Sequence, residues 1–249
     1  MQYPYVLLHK RMVLLLILTV TLFVILVKLG FWQLARGDEK SQLFEQMQAR
    51  QAAPALTFSQ ALDKSQFEDL TAYRLRVKAS PVSQQIWLLD NQVYQGQVGY
   101  LGFQLMQLDA DQPYLMVELG FIAAPHDRRQ LPHIDPIVNE VELIGRLYQR
   151  QINPLSHKLL AEDGDTVRFQ NLNLTEIETA ISHPLLAAVL QPDSLPHLSL
   201  PHPWQPFPIS AQKHWGYAVQ WFAMATVFAG LMGWQGVKLL TRNRREAKD

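Results

Sequence analysis

The stretch MVLLLILTVTLFVILV, from Met12 to Val27, constrains this chain more than any other feature, because an uncharged apolar run of that kind belongs in a membrane or in a deep core. Leu29-Gly30-Phe31-Trp32 carries it past Lys28 to about 20 residues, the length a bilayer core requires. Lys28 reaches the headgroups on its apolar stem. A cleaved signal peptide is the rival reading, since Lys10 and Arg11 precede the run. No A-x-A-like site follows, and the run exceeds a usual signal core, so the expectation is an uncleaved transmembrane helix over 12–34 behind a short N-terminus, 1–11.

A second span is expected over 214–240, with Trp215, Tyr217 and Trp221 clustered at its start as an interfacial aromatic belt. Lys238, Arg242, Arg244, Arg245 and Lys248 lie at its far end, against Lys213 alone at the near end, so the tail 241–249 reads as cytoplasmic. Two spans then put both termini inside and residues 35–213 on the outer side, the periplasm of a bacterial inner membrane or its equivalent. Ala225, Ala229 and Gly233 recur every four residues and Gly230, Gly233 and Gly236 every three, a ridge on which the two helices can pack.

The intervening segment has room for one domain. The formal net charge of zero provides no basic field for nucleic acid, and the absence of cysteine removes disulfides, thiolate nucleophiles and Cys-ligated zinc. Residues 36–52 continue the first helix as an amphipathic extension with Leu43, Phe44 and Met47 at helical spacing. Thr57 or Ser59 opens a short helix. Strands are expected at 73–79, 85–91, 100–108, 114–123, 140–148 and 167–171, and a helix at 175–183 ended by Pro184. Arg74, Arg76 and Lys78 alternate with Leu75, Val77 and Ala79, the mark of a half-buried strand. The fold class expected is therefore membrane α+β: two transmembrane helices flanking a mainly antiparallel, barrel-like external β domain with short helices. Prolines over 191–210 forbid helix interior and central strand there, leaving an extended strap.

No G-x-S-x-G, H-E-x-x-H, Walker A or G-x-G-x-x-G pattern occurs, so an enzyme reading has no positive support. Asp109 with Asp111 and Asp163 with Asp165 read as turn residues. His197 and His202 sit in Pro-His contexts where a metal could bind, but exposed loop histidines are the simpler reading. His214 opens a helical stripe with Tyr217, Ala218, Trp221 and Ala225 at the membrane entrance. Two readings stand: an axial ligand for haem iron with aromatic rings packed on the macrocycle, or an aromatic belt that contains a histidine. Trp32, Arg36 and Lys40 follow at four-residue steps, where the cations could meet propionates, lipid headgroups, or Asp38 and Glu39.

Leu29-Gly30-Phe31-Trp32-Gln33-Leu34 with Arg36 and Lys40 resembles the L-G-x-W-Q-x-x-R-x-x-x-K of the Surf1/Shy1 family, and His214, Tyr217, Ala218, Trp221 and Phe222 resemble its H-x-x-Y-A-x-x-W-F. The middle departs from the family. GYLGFQL (99–105) lacks the Thr-Pro of a segment like G-x-x-V-x-T-P-L, and in LMVELGFI (115–122) Glu118, Leu119 and Phe121 replace Asn, Arg and Trp. Glu142, Gly145 and Arg146 retain part of a strand resembling E-x-x-G-x-x-R, and Lys213 stands where an Asn often precedes the histidine. The resemblance implies an assembly factor for haem-copper cytochrome c oxidase, without turnover of its own, that delivers haem a to subunit I or stabilises it there. Haem A synthase is a further partner it suggests. It carries the proposed iron ligand onto His214, with Tyr217, Trp221, Trp32, Arg36 and Lys40 around the cofactor. A scaffold for oxidase biogenesis that binds no haem is the alternative.

Overall fold

The computed structural model describes residues 3–150, 157–162, 164–203 and 210–246. Helix α1 (Tyr3–Ala52) is 50 residues long, about 75 Å at 1.5 Å per residue. It continues unbroken through the segment expected to be amphipathic. Then come α2 (Phe58–Ser65), β1 (Arg74–Pro81), β2 (Ile86–Tyr94), β3 (Gln97–Gln107), β4 (Tyr114–Ala123), β5 (Val141–Tyr148), β6 (Thr166–Phe169), α3 (Leu174–Ile181), β7 (Leu185–Pro192) and α4 (Ala211–Glu246). The chain divides into two compact units, Met1–Glu45 with Pro206–Asp249, and Gln46–Gln205.

In the second unit the sheet order β1-β5-β7-β4-β3-β2-β6, with β1 also paired to β3, closes a ring of five strands and leaves β2 and β6 as an extension. The sheet is mixed: within the barrel β4 runs parallel to β7, and in the extension β2 runs parallel to β6, while the remaining pairings are antiparallel. The expected mainly antiparallel sheet is corrected at these two joins. β7 enters after the α3 crossover and so lies parallel to β4. Nothing in the sequence announces β7, because both its faces are buried and its apolar run LLAAVLQP lacks alternation.

The β1 alternation is realised: Leu75, Val77 and Ala79 are buried, and Arg76 and Lys78 are exposed with Glu142 and Glu140 beside them. Leu75, Val77, Leu115, Val117, Leu119, Leu143, Leu147, Leu186, Ala188 and Leu190 form one apolar cluster with period two along their strands. A second cluster, with Trp87, Leu101, Phe103, Met116, Phe169, Ile177 and Val189, covers the other face of β3, β4 and β7. Thr57 caps α2 with a capping box to Gln60. Arg50, in the last turn of α1, donates to the carbonyls of Asp69 and Thr71 at 2.8 and 3.0 Å and anchors the helix end in this unit.

The strap begins at Asp193, since β7 takes Gln191 and Pro192; residues 204–209 of it lie outside the described residues. Gln112 N–H donates to the Asp109 carbonyl, closing the turn expected there, whereas Asp163 lies outside the described residues.

In the first unit α1 and α4 pack antiparallel: Gly30 meets Phe222, and seven residues on, Gly37 meets Trp215, seven residues back. The close approach is made by the glycines of α1. Of the expected ridge on α4 only Ala225 is buried, while Gly230, Gly233 and Gly236 have open space within 4 Å. Met12 to Leu18, all round the helix, and Val24 and Ile25 are exposed. Among the described residues α1 is the one helix long and apolar enough to span a membrane, with a mean hydropathy of 2.9 in its best window. Gln220, Gln235, Lys238 and the glycines lower α4.

Candidate functional site

The seam between the helices is built from small residues on both sides. Gly30 and Gly37 of α1 and Ala211, Ala218 and Ala225 of α4 are buried. On α1 the side chain at Gly30 could be nothing larger, since a Cβ there would come within 2.6 Å of the Phe222 ring, and at Gly37 within 2.5 Å of Trp215. Into this seam project His214, 8% exposed, and Gln33. Gln33 Oε1 lies 2.7 Å from His214 Nδ1. A carbonyl oxygen accepts only, so Nδ1–H donates, and in the neutral ring the lone pair is then on Nε2. This is the tautomer a metal-ligating histidine adopts when its other nitrogen is anchored by a carbonyl.

One flank of the pair is defined by direct contacts. Phe31 meets Phe222 edge-on with centroids 5.2 Å apart, and Trp215 Nε1–H donates to Asp38 at 3.1 Å. At about 100° per residue, Trp32, Arg36 and Lys40 fall on the opposite side of α1 from Phe31 and Asp38, and Tyr217 and Trp221 on the opposite side of α4 from Trp215 and Phe222. These five side chains therefore share the other flank. Trp32 is 56% and Tyr217 45% exposed, and Trp221 is half-buried. Arg36 pairs with Glu39 at 2.5 Å, both of them largely solvent-accessible. Lys40 is half-buried.

Sequence reasoning named Gln33 within a motif and Asp38 as a partner for the cations, but foresaw neither the contact of Gln33 with His214 nor that of Asp38 with Trp215, and it did not name Gly37. The seven-residue step from Gly30 to Gly37, matched by Trp215 and Phe222, is the signal that would have found the seam. Among the described residues no group of three His, Asp or Glu side chains is arranged to hold a metal ion.

The two family-like motifs thus meet in space: Gly30, Phe31 and Gln33 of the first touch Phe222 and His214 of the second. A family model described as the SURF1 family matches residues 20–226, well over half of the chain. The chain belongs to the SURF1 family. SURF1 proteins are cytochrome oxidase assembly factors and not enzymes. A search of individual curated proteins finds no match.

At Glu118 the barrel of this SURF1 chain holds a second polar constellation. Glu118 is 0% exposed. Its Oε1 accepts from Gln191 Nε2 at 3.0 Å and lies 2.6 Å from His202 Nδ1; its Oε2 accepts from the Tyr148 hydroxyl. Arg146 donates from Nε to Gln191 Oε1. Burial, reinforced by the Glu118 charge, pushes the Tyr148 phenol well above its ordinary value, so it stays protonated and donates. Burial also lowers Arg146, against the attraction of Glu118, Tyr148 and Asp193. The exposed-loop expectation fails for His202, whose side chain is drawn onto the barrel by this carboxylate, and holds for His197, which is exposed. A lone Glu inside the apolar run LMVELGFI was the readable sign of a buried, partnered carboxylate.

Proposed function

We propose that this SURF1 protein handles haem a for cytochrome oxidase subunit I, with His214 as the residue that would ligate its iron. The supporting observation is the Gln33–His214 hydrogen bond, which joins the two motifs and leaves Nε2 as the nitrogen able to coordinate. The residues fit the group: an imidazole anchored through Nδ1, the aromatic surfaces of Trp32, Tyr217 and Trp221 on one flank, and the cations Arg36 and Lys40 beside them. Bound haem would supply an iron centre and two propionates. Gln33 holds the imidazole in one tautomer and orientation. Arg36 offers a guanidinium to a propionate in exchange for Glu39, an exposed pair that costs little to break. Haem A synthase, as the source of the cofactor, is the second partner in this reading.

The same proposal takes α4 as a second span, with both termini cytoplasmic and the barrel periplasmic. Val219, Val227, Leu231, Trp234 and Val237 point away from α1 and are exposed, a surface suited to lipid, and the basic residues follow at its end.

The burial of His214 favours one competing function, a scaffold that binds oxidase without haem and uses His214 only to fasten the seam. The deciding experiment purifies the protein in mild detergent from cells that make haem a and compares its absorption spectrum with those of His214→Ala and Gln33→Leu. A haem a spectrum lost in the first variant and shifted in the second supports the carrier. Haem-free, folded protein that still captures subunit I selects the scaffold.

A further inference from the structure

Residues 193–203 lie across the barrel and are fastened differently from every strand beneath them. β7 pairs with β4 at Tyr114, Met116 and Val117. Beyond that point the same edge of β4, from Glu118 to Phe121, is covered by the strap: Phe121 N–H donates to the Pro201 carbonyl at 2.7 Å, and Leu200 lies over Gly120. Gly120 has φ +118°, and a Cβ there would come within 2.5 Å of the Leu200 Cβ, so glycine is what lets the strap lie so close. Pro196, Pro201 and Pro203 have no N–H to donate, which prevents the strap from extending a ladder along β4.

Side chains supply the remaining attachment. Asp193 binds Arg74 through both carboxylate oxygens at the start of the strap. His202 binds the buried Glu118 near its end. Leu195, Leu198 and Leu200 pack partly buried on the barrel core between them. A segment with sparse backbone bonding, held by two polar clasps, is the element expected to open before the ladders do.

We propose that the strap is a detachable cover over the outer edge of β4, and that its release presents Glu118 to Phe121 as a strand-addition surface for an extended, basic segment of a partner protein. The main chain of such a segment would pair with the freed edge, and an Arg or Lys would take the place of His202 at Glu118. The groups facing that carboxylate are Tyr148 and Arg146 from β5, Gln191 from β7 and His202 from the strap, with Asp193 acting on Arg146 and Arg150 on Tyr148. The inference does not depend on haem binding.

The test is hydrogen exchange on the full chain in mild detergent, comparing wild type with His202→Ala and His202→Asn, whose amide can donate where Nδ1 does. Exchange is expected to rise about tenfold or more in 118–121 and 194–203 in the alanine variant, to return toward wild type in the asparagine variant, and to stay unchanged in β1 and β5. A rise spread over the whole barrel, or no rise, overturns the clasp. A labelled peptide of sequence 193–203 carrying His202→Arg is then titrated by anisotropy. Binding at least tenfold tighter to the His202→Ala protein than to wild type supports the docking edge; equal binding to both, or none to either, overturns it.

Discussion

The helix pair and the barrel place the same kinds of side chain in opposite ways. In the barrel Leu101, Phe103 and Leu115 are sealed inside and charge lies outward on Arg76 and Lys78, the arrangement water enforces. In the helix pair, leucine, isoleucine and valine of α1 face outward, and the seam holds glycine, alanine and a His–Gln pair. If both helices lie in lipid, as proposed, burying Leu gains nothing, and close packing and hydrogen bonding hold the pair instead. Polar groups inside follow suit: a histidine held by an amide in the seam, a carboxylate with three partners in the barrel.

The comparison breaks most visibly at Gly145. A Cβ there would approach the Gln191 carbonyl oxygen at 2.1 Å, backbone that cannot move aside, so Gly145→Val should destabilise the barrel by about 4 kcal/mol or more, read as loss of its denaturant transition. If the helix pair is held independently, cross-linking between α1 and α4 survives this change.

Next in size is Glu118→Ala, which leaves Tyr148, Gln191 and His202 without their shared acceptor. A loss of about 3 kcal/mol in barrel stability is expected. A near-neutral result would show that the carboxylate contributes little net stability.

Gly30→Leu tests the other side. Its side chain meets the Phe222 ring, and a cost of about 1–3 kcal/mol should appear as weaker α1–α4 cross-linking with the barrel transition unchanged. Gly233→Leu, where space is open, should change pairing by less than about 0.5 kcal/mol.

The smallest effect is in acid. The hydrogen bond from Lys64 holds the Glu68 carboxyl below its ordinary value, with Tyr73 and Arg50 adding to it. A carboxylate depressed in the fold stabilises it at neutral pH, and that contribution is lost as pH falls from the ordinary glutamate range through the lower folded value. Lys64→Ala should therefore lower Tm slightly at pH 7, with the difference from wild type vanishing in strong acid.

Much of the fold is legible from local pattern. The charge-free run from Met12, the β1 alternation of Arg74, Arg76 and Lys78 with apolar neighbours, and the short helix opened at Thr57 or Ser59 depend on residues close in sequence, and the structure places an element at each, with Thr57 as the cap. β7 escaped because a strand buried on both faces has no alternation to read, and the parallel join to β4 because strand direction is set by the crossover. At the candidate site, His214, Tyr217 and Trp221 were visible as a stripe, whereas the partner of His214 was not.

The sequence by itself determined that an apolar helix is present, that a β-rich domain follows, and that two motifs of the SURF1 family lie at the far ends of the chain, since periodicity and composition are local properties. Only the tertiary structure decided that Gln33 meets His214, that Gly30 and Gly37 rather than the glycines of α4 carry the helix contact, and that Glu118 is bound by residues up to 84 positions away. Those are choices among partners distant in the chain, made by which surfaces close on one another, and no short window of sequence contains them.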